Sequence, residues 1–190
     1  MKDLKDTIIK QAEVLPGDIL KVDSFLNHQI DVELISKCGK EWFEKFKNEG
    51  ITQILTIESS GIAIATLTAQ YFGVPVVYAK KTRSATYGND FYSTKVVSYT
   101  HSQSYEVVVS KKFITPNDKI LLIDDFLANG SALKGLITLA EAGGAKVVGA
   151  GVVIEKEYEN GGKDIRDLGY RIEALAKIKC IENGKIIFSE

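Results

Sequence analysis

The 190-residue chain holds only two cysteines, two histidines, three prolines, one methionine and one tryptophan. Each scarcity excludes something. Cys38 and Cys180 lie far apart and fit neither a metal-ligand spacing nor a disulfide framework. Two free thiols point to a reducing, cytoplasmic setting. His28 and His101 fall in no metal-binding or nucleophile-triad motif, so both read as structural and no protein-held metal is expected. Surplus charge is lacking too: 24 Lys+Arg against 25 Asp+Glu leave −1. That balance speaks against a nucleic-acid binder and against an acidic disordered tail. No apolar run approaches the ~18 residues of a membrane span. Residues 1–11 are charged where a signal peptide would be apolar. With no repeat and no Pro/Gly/Ser-rich linker, the chain reads as one soluble domain. At 45% hydrophobic and 26% charged residues, its composition is ordinary for such a domain.

What is present is a change of pattern along the chain. Leu4, Ile8, Ala12 and Leu15 fall at helical spacing and predict a helix that stops at Pro16-Gly17-Asp18. Residues 19–30 carry no clear period. Asp31 is placed to cap a second helix with Ile35, Cys38, Trp42 and Phe46 on one face, ended by Asn48-Glu49-Gly50. From Ile54 onward, short apolar runs alternate with helical stretches. Strands are predicted at 54–57, 74–79, 119–123 and 146–154, with helices at 62–72 and 131–142. Residues 80–92 read as a loop, followed by a hairpin around 95–99 and 105–110. This alternation predicts an α/β fold: a parallel sheet with helices on both faces. At the tail, Ile172, Ala174, Ala176, Ile178 and Cys180 alternate with more polar positions. Asn183-Gly184 then turns the chain into Lys185-Ile186-Ile187-Phe188. The N- and C-terminal pieces are expected to form a small cap (about 1–35 and 165–190) on a core of about 50–160.

The chemistry concentrates in Ile120-Leu121-Leu122-Ile123-Asp124-Asp125-Phe126-Leu127-Ala128-Asn129-Gly130-Ser131-Ala132. A buried strand ends in two carboxylates, at the place where open α/β sheets bind ligands. A glycine turn and a helix start follow, and their backbone N–H groups form an anion pocket. An anion cradle beside paired carboxylates suits a ligand with both a phosphate and hydroxyls, such as a sugar phosphate. Taken alone, Asp-Asp after a strand more often just starts a turn; the full run of thirteen positions favours the functional reading.

This segment resembles the phosphoribosyl-pyrophosphate (PRPP) motif of the type I phosphoribosyltransferases. It departs at Phe126, and at Asn129 and Ala132, where many members carry Thr; the xanthine-using branch resembles the chain at those positions too. The likeness extends to residues 20–31, to Thr56-Ile57-Glu58-Ser59-Ser60-Gly61-Ile62-Ala63 and to Val152-Val153-Ile154-Glu155-Lys156. The resemblance implies a twisted parallel sheet flanked by helices, and a homodimer. It implies that Ala128, Asn129, Gly130, Ser131 and Ala132 hold the 5′-phosphate while Asp124 and Asp125 face the ribose. Ser59 and Ser60 match a pyrophosphate loop, although on Glu58-Ser59-Ser60-Gly61 alone a serine helix cap is the plainer account. Residues 80–95 hold Lys80, Lys81, Arg83 and Lys95 against Asp90. A solvated basic loop is the simpler account; within the resemblance the segment matches a lid over PRPP, with Lys81 and Arg83 beside the pyrophosphate and Tyr87-Gly88-Asn89 as its flexible part.

Leu20, Asn27 and Lys156 match positions that contact the purine, with Lys156 suited to an exocyclic oxygen of xanthine. Alone, Lys156 between two glutamates reads as a surface charge. Phe126 beside the carboxylates is placed either to stack on the base or to pack in the core. Mg²⁺ is expected to ride on PRPP oxygens and water. The expected reaction is transfer of the phosphoribosyl group from PRPP to xanthine. Two alternatives stand beside it: guanine or hypoxanthine as the base, and a PRPP-sensing transcription regulator. About fifty residues before the first core strand leave scant room for the regulator's DNA-binding domain.

Overall fold

The computed structural model describes residues 1–81, 90–97 and 104–189. Helix α1 (Lys2–Gln11) buries Leu4 and Ile8. It ends before Leu15, which lies instead in a short hairpin of β1 (Glu13–Leu15) and β2 (Ile19–Lys21). The hairpin turns at Pro16-Gly17-Asp18, where Gly17 and Asp18 both take left-handed backbone, φ 83° and 57°. The stretch without a sequence period contains this second strand and a π-helical turn, Asp23–Asn27. The turn buries Phe25 and Leu26. Helix α2 (Val32–Phe46) begins as expected, the Asp31 carboxylate accepting the Leu34 N–H at 3.0 Å.

Next come β3 (Gln53–Ile57), α3 (Ser60–Phe72) and β4 (Val76–Ala79). A hairpin follows, of β5 (Phe91–Val97) and β6 (Ser104–Ser110). The core is completed by β7 (Lys119–Leu127), α4 (Ser131–Ala142), β8 (Lys146–Lys156), α5 (Gly161–Asp167), β9 (Ile172–Glu182) and β10 (Lys185–Phe188). Six strands form one sheet in the order β10-β9-β8-β7-β3-β4. From β4 through β9 all neighbours are parallel, and β10 closes the far edge antiparallel to β9.

Both faces of the sheet are covered, which is why the central strands read as unbroken apolar runs. On one face Leu121, Ile123 and Val153 pack under Ile35, Trp42 and Ile64. On the other, Leu122 and Val152 pack under Leu136 of α4 and Val96 and Val107 of the hairpin. The terminal segments meet: the Met1 ammonium donates to the Leu175 carbonyl at 2.5 Å and Lys5 Nζ to the Ser189 carbonyl at 2.9 Å. Among the described residues, no helix is long and apolar enough to cross a membrane.

Four differences from the sequence reading bear on the site. Strand β7 does not stop at Ile123; it runs through Asp124 and Asp125 to Leu127. Strand β8 likewise outlasts its apolar run, so the polar ends of the two strands pair with each other, in register to Leu127↔Glu155. Strand β5 starts at Phe91, inside the expected loop. Helix α5 gave no periodic signal because two glycines open it.

Candidate active site

The C-terminal ends of β3, β7 and β8 lie side by side. From β7 the chain turns through Ala128 and Asn129 to Gly130, which caps α4 in left-handed backbone at φ 80°. Asn129 Oδ1 accepts the Ser131 N–H at 3.0 Å. The first-turn amides of a helix have no acceptor within it, so they face outward as a ready anion site. A cavity of about 240 Å³ opens there, walled by residues 126–133 together with Lys81 and Tyr105.

A second cavity, about 440 Å³, shares Phe126 and Ala128 with the first and continues to Leu20, Asp125, Lys156, Tyr158 and Glu159. Asn27 stands beside it, donating from Nδ2 to Asp125 Oδ2 at 3.4 Å. The Lys156 ammonium lies 3.3 Å from Glu159 Oε1, the two side chains only 12% and 9% exposed. Glu159 Oε2 is buried with no hydrogen-bond partner among the described residues. Lys156 is thus not a solvated surface charge but a cation held in a cavity wall.

Asp125 stands in the wall of the second cavity, and Asp124 lies buried just before it on β7. Asp124 is 3% exposed, and burial followed by the charge of Asp125 pushes its carboxyl well above the usual range. The Asp125 N–H donates to Asp124 Oδ1 at 3.0 Å, and the Phe126 N–H to Asp125 Oδ1 at 2.9 Å. Lys81 offsets part of the strain on Asp124. Its ammonium also lies 5.2 Å from the centre of the Tyr105 ring. Among the described residues no cluster of three or more His, Cys, Asp or Glu is placed to hold a metal ion.

The structure therefore brings Leu20, Lys81, Asp125, Lys156 and the turn 128–132 into the walls of two adjoining cavities, with Asn27 bonded to Asp125; Asp124 lines neither and is buried beside Asp125. Ser59 and Ser60 line neither; they stand at the end of β3, parallel neighbour of β7, after a cis Glu58–Ser59 peptide. Ser59 is the N-cap residue of α3, without a side-chain capping hydrogen bond among the described residues. Close by, the Lys81 N–H donates to Glu58 Oε1 at 2.5 Å. Arg83, Tyr87-Gly88-Asn89 and His101 lie outside the described residues; Lys95 is exposed on β5. Sequence reasoning missed Tyr105, Tyr158 and Glu159. The last two lie two and three residues after Lys156 in the chain, but nothing in their pattern announces the 3₁₀ turn (Glu157–Glu159) that carries them.

The model of the phosphoribosyl transferase domain matches residues 21–179. The chain belongs to that family. It is 53% identical over 190 residues to a xanthine phosphoribosyltransferase from Lachnoclostridium phytofermentans, covering 99% of this chain and 98% of the relative. A protein of the same name from Clostridium novyi is 50% identical over 188 residues, with 99% of each covered. Among solved structures, an adenine phosphoribosyltransferase from Giardia lamblia complexed with 9-deazaadenine matches with a TM-score of 0.76 at 22% identity. It covers 93% of this chain and 96% of that one. The Trypanosoma brucei adenine enzyme, in complex with AMP, pyrophosphate and ribose-5-phosphate, gives 0.71 at 20% identity, covering 92% and 79%. At such identity these two establish the family fold alone.

Proposed function

We propose that this phosphoribosyltransferase transfers the 5-phosphoribosyl group of PRPP to xanthine, releasing pyrophosphate and forming xanthosine 5′-monophosphate. The observation that carries the reading is the pair of adjoining cavities: one walled by helix-start amides, the other by a held ammonium and the Asp125 carboxylate, with Asp124 next to it on β7. A nucleotide has the same order of groups, phosphate, ribose diol and base. The names of the half-identical relatives support xanthine as the base.

In this reading the amides of Ala128, Asn129, Gly130, Ser131 and Ala132 bind the 5′-phosphate, and Asp124 and Asp125 accept the ribose hydroxyls. Ser59, Ser60 and Lys81 face the pyrophosphate. Leu20 and Asn27 position the base, Phe126 stacks on it, and the Lys156 ammonium meets an exocyclic oxygen. A purine ring nitrogen gives its lone pair to C1 as the bond from C1 to the pyrophosphate oxygen breaks; that bond's electrons leave with pyrophosphate, and the proton of the base's imidazole ring passes to solvent. The carboxylates beside the ring stabilise the positive charge that C1 and the ring oxygen develop on the way. No protein nucleophile is needed.

Backbone amides and two carboxylates, with no group of three or more metal-ligating side chains among the described residues, suit a Mg²⁺ that arrives with PRPP and keeps phosphate oxygens and water as its main ligands. When bound it neutralises charge on the leaving group. The family resemblance further supports a cytoplasmic homodimer in which the whole chain is one catalytic unit. The reading is tested by incubating the protein with PRPP, Mg²⁺ and xanthine. Equal amounts of xanthosine 5′-monophosphate and pyrophosphate are expected, abolished by a chelator; no nucleotide would overturn it.

A further inference from the structure

Helix α5 lines neither cavity, yet it touches the turn proposed to bind the phosphate more closely than any side chain would allow. The Gly161 N–H donates to the Ala128 carbonyl at 3.1 Å. A Cβ on Gly161 would fall 2.3 Å from that oxygen, 2.3 Å from the Asn129 carbonyl carbon and 2.4 Å from the Gly130 nitrogen. From the opposite side, a Cβ on Gly130 would meet Ile165 Cδ1 at 3.0 Å and the Gly161 carbonyl at 3.2 Å. Two backbones are in direct contact here. Glycine costs about 1 kcal/mol per position in a helix, and α5 is only seven residues long yet starts with two of them. The contact, rather than helix stability, accounts for their presence.

A second device fixes the same helix. Arg166 of α5 grips Glu155 with both nitrogens, Nη1 to Oε1 at 2.6 Å and Nη2 to Oε2 at 2.7 Å. Glu155 is 1% exposed and stands in register opposite Leu127, the residue that leads into the turn. A Cβ on Gly162 would lie 1.9 Å from Glu155 Oε1, so the second glycine makes room for the pair. Leu127, the turn, Gly161, α5, Arg166 and Glu155 thus close a ring of contacts. Its ion pair is bidentate, with Glu155 buried and the Arg166 side chain one-third exposed, and two parallel hydrogen bonds fix geometry better than one.

We propose that Gly161 and the Glu155–Arg166 pair are positioning residues for the phosphoribosyl donor. They fix the backbone of the 128–130 turn in its anion-binding geometry before the donor arrives. The inference rests on the proposed function, because it takes the turn's ligand to be the 5′-phosphate. Amides set in advance need no reorganisation on binding, whereas a turn free to drift by 1 Å forfeits on the order of a hundredfold in productive geometry.

The test measures calorimetric binding of PRPP with Mg²⁺ to the full chain, without a base, and then steady-state kinetics, for wild type, Gly161→Ala, Arg166→Met and Arg166→Lys. A double variant, Glu155→Gln with Arg166→Met, leaves no unpaired buried charge and decides the matter if a single variant fails to fold. Expected are a rise of about tenfold or more in the Kd and KM for PRPP, a change of less than about twofold in the KM for xanthine, and partial rescue by Arg166→Lys. Lowered Tm with PRPP affinity unchanged would overturn the proposal, leaving these residues as supports of the fold only. Wild-type protein that binds no PRPP would instead overturn the proposed function, and the inference with it.

Discussion

Asn27 and Asp125, 98 residues apart in the chain, meet where the π-helical turn reaches over the end of β7, with Nδ2 donating to Oδ2 at 3.4 Å. The contact ties the segment that borders the base cavity to the carboxylate proposed to hold the ribose. Asn27→Ala is expected to raise the KM for the base about fivefold, from one lost hydrogen bond, with little change for PRPP. Asn27→Asp sets a like charge against Asp125 and is expected to cost more than the alanine variant. Kinetics with each substrate varied in turn check both, and an Asn27→Asp enzyme as active as wild type would contradict the contact.

Asp124 is costly to the fold. Its carboxyl titrates well above the usual range because it is buried and faces Asp125. Below about pH 4 folded and unfolded chains both hold the proton. From there up to the higher folded-state pKa only the folded chain keeps the proton, so stability falls across that window and levels off once the folded chain releases it too. Asp124→Asn is expected to be more stable than wild type at pH 8 by about 1 kcal/mol, with the gain shrinking toward pH 4. Its kcat is expected to fall about a hundredfold. Urea midpoints at several pH values, alongside turnover, test both halves.

Lys156→Ala removes the ammonium from the base cavity and leaves Glu159 unpaired. A hydrogen bond to a charged group contributes about 1.5–3 kcal/mol, so the KM for xanthine is expected to rise at least about tenfold while that for PRPP stays near wild type. Equal losses for both substrates would remove Lys156 from the base site.

The two thiols are expected to differ. Cys38 is fully buried, and burial pushes its thiol up to about 12. Cys180 is half-buried near the sheet edge, 3.4 Å from Glu182 Oε1. A disulfide reagent at pH 8 should therefore titrate one thiol in the native protein, Cys180, and the second only in denaturant. Two thiols reacting at once in the native state would contradict the burial of Cys38.

The fold was legible where one periodicity dominates. The α2 face of Ile35, Cys38, Trp42 and Phe46, the runs of β3 and β7, and the Asn183-Gly184 hairpin follow from local pattern alone. The Pro16 hairpin, the polar extensions of β7 and β8 and the glycine-led α5 were not legible, since each depends on a partner distant in sequence or on a contact only glycine permits. At the site, the carboxylates and the Gly130 turn announce themselves by residue type and order. Lys156 does not: its neighbours Glu155 and Glu157 suggest a surface, and only the turn that brings Glu159 against it shows a buried cation. Tyr105 reaches the phosphate-side cavity from a hairpin whose alternating pattern says nothing about what its tip approaches.

Comparing kcat/KM for xanthine, guanine, hypoxanthine, adenine and uric acid with saturating PRPP and Mg²⁺ decides the assignment of enzyme and base. Xanthosine 5′-monophosphate is expected to form, with the highest value for xanthine and negligible use of adenine, which offers Lys156 no exocyclic oxygen. Faster turnover of guanine or hypoxanthine would contradict the base assignment, and no nucleotide from any base would contradict the enzyme itself.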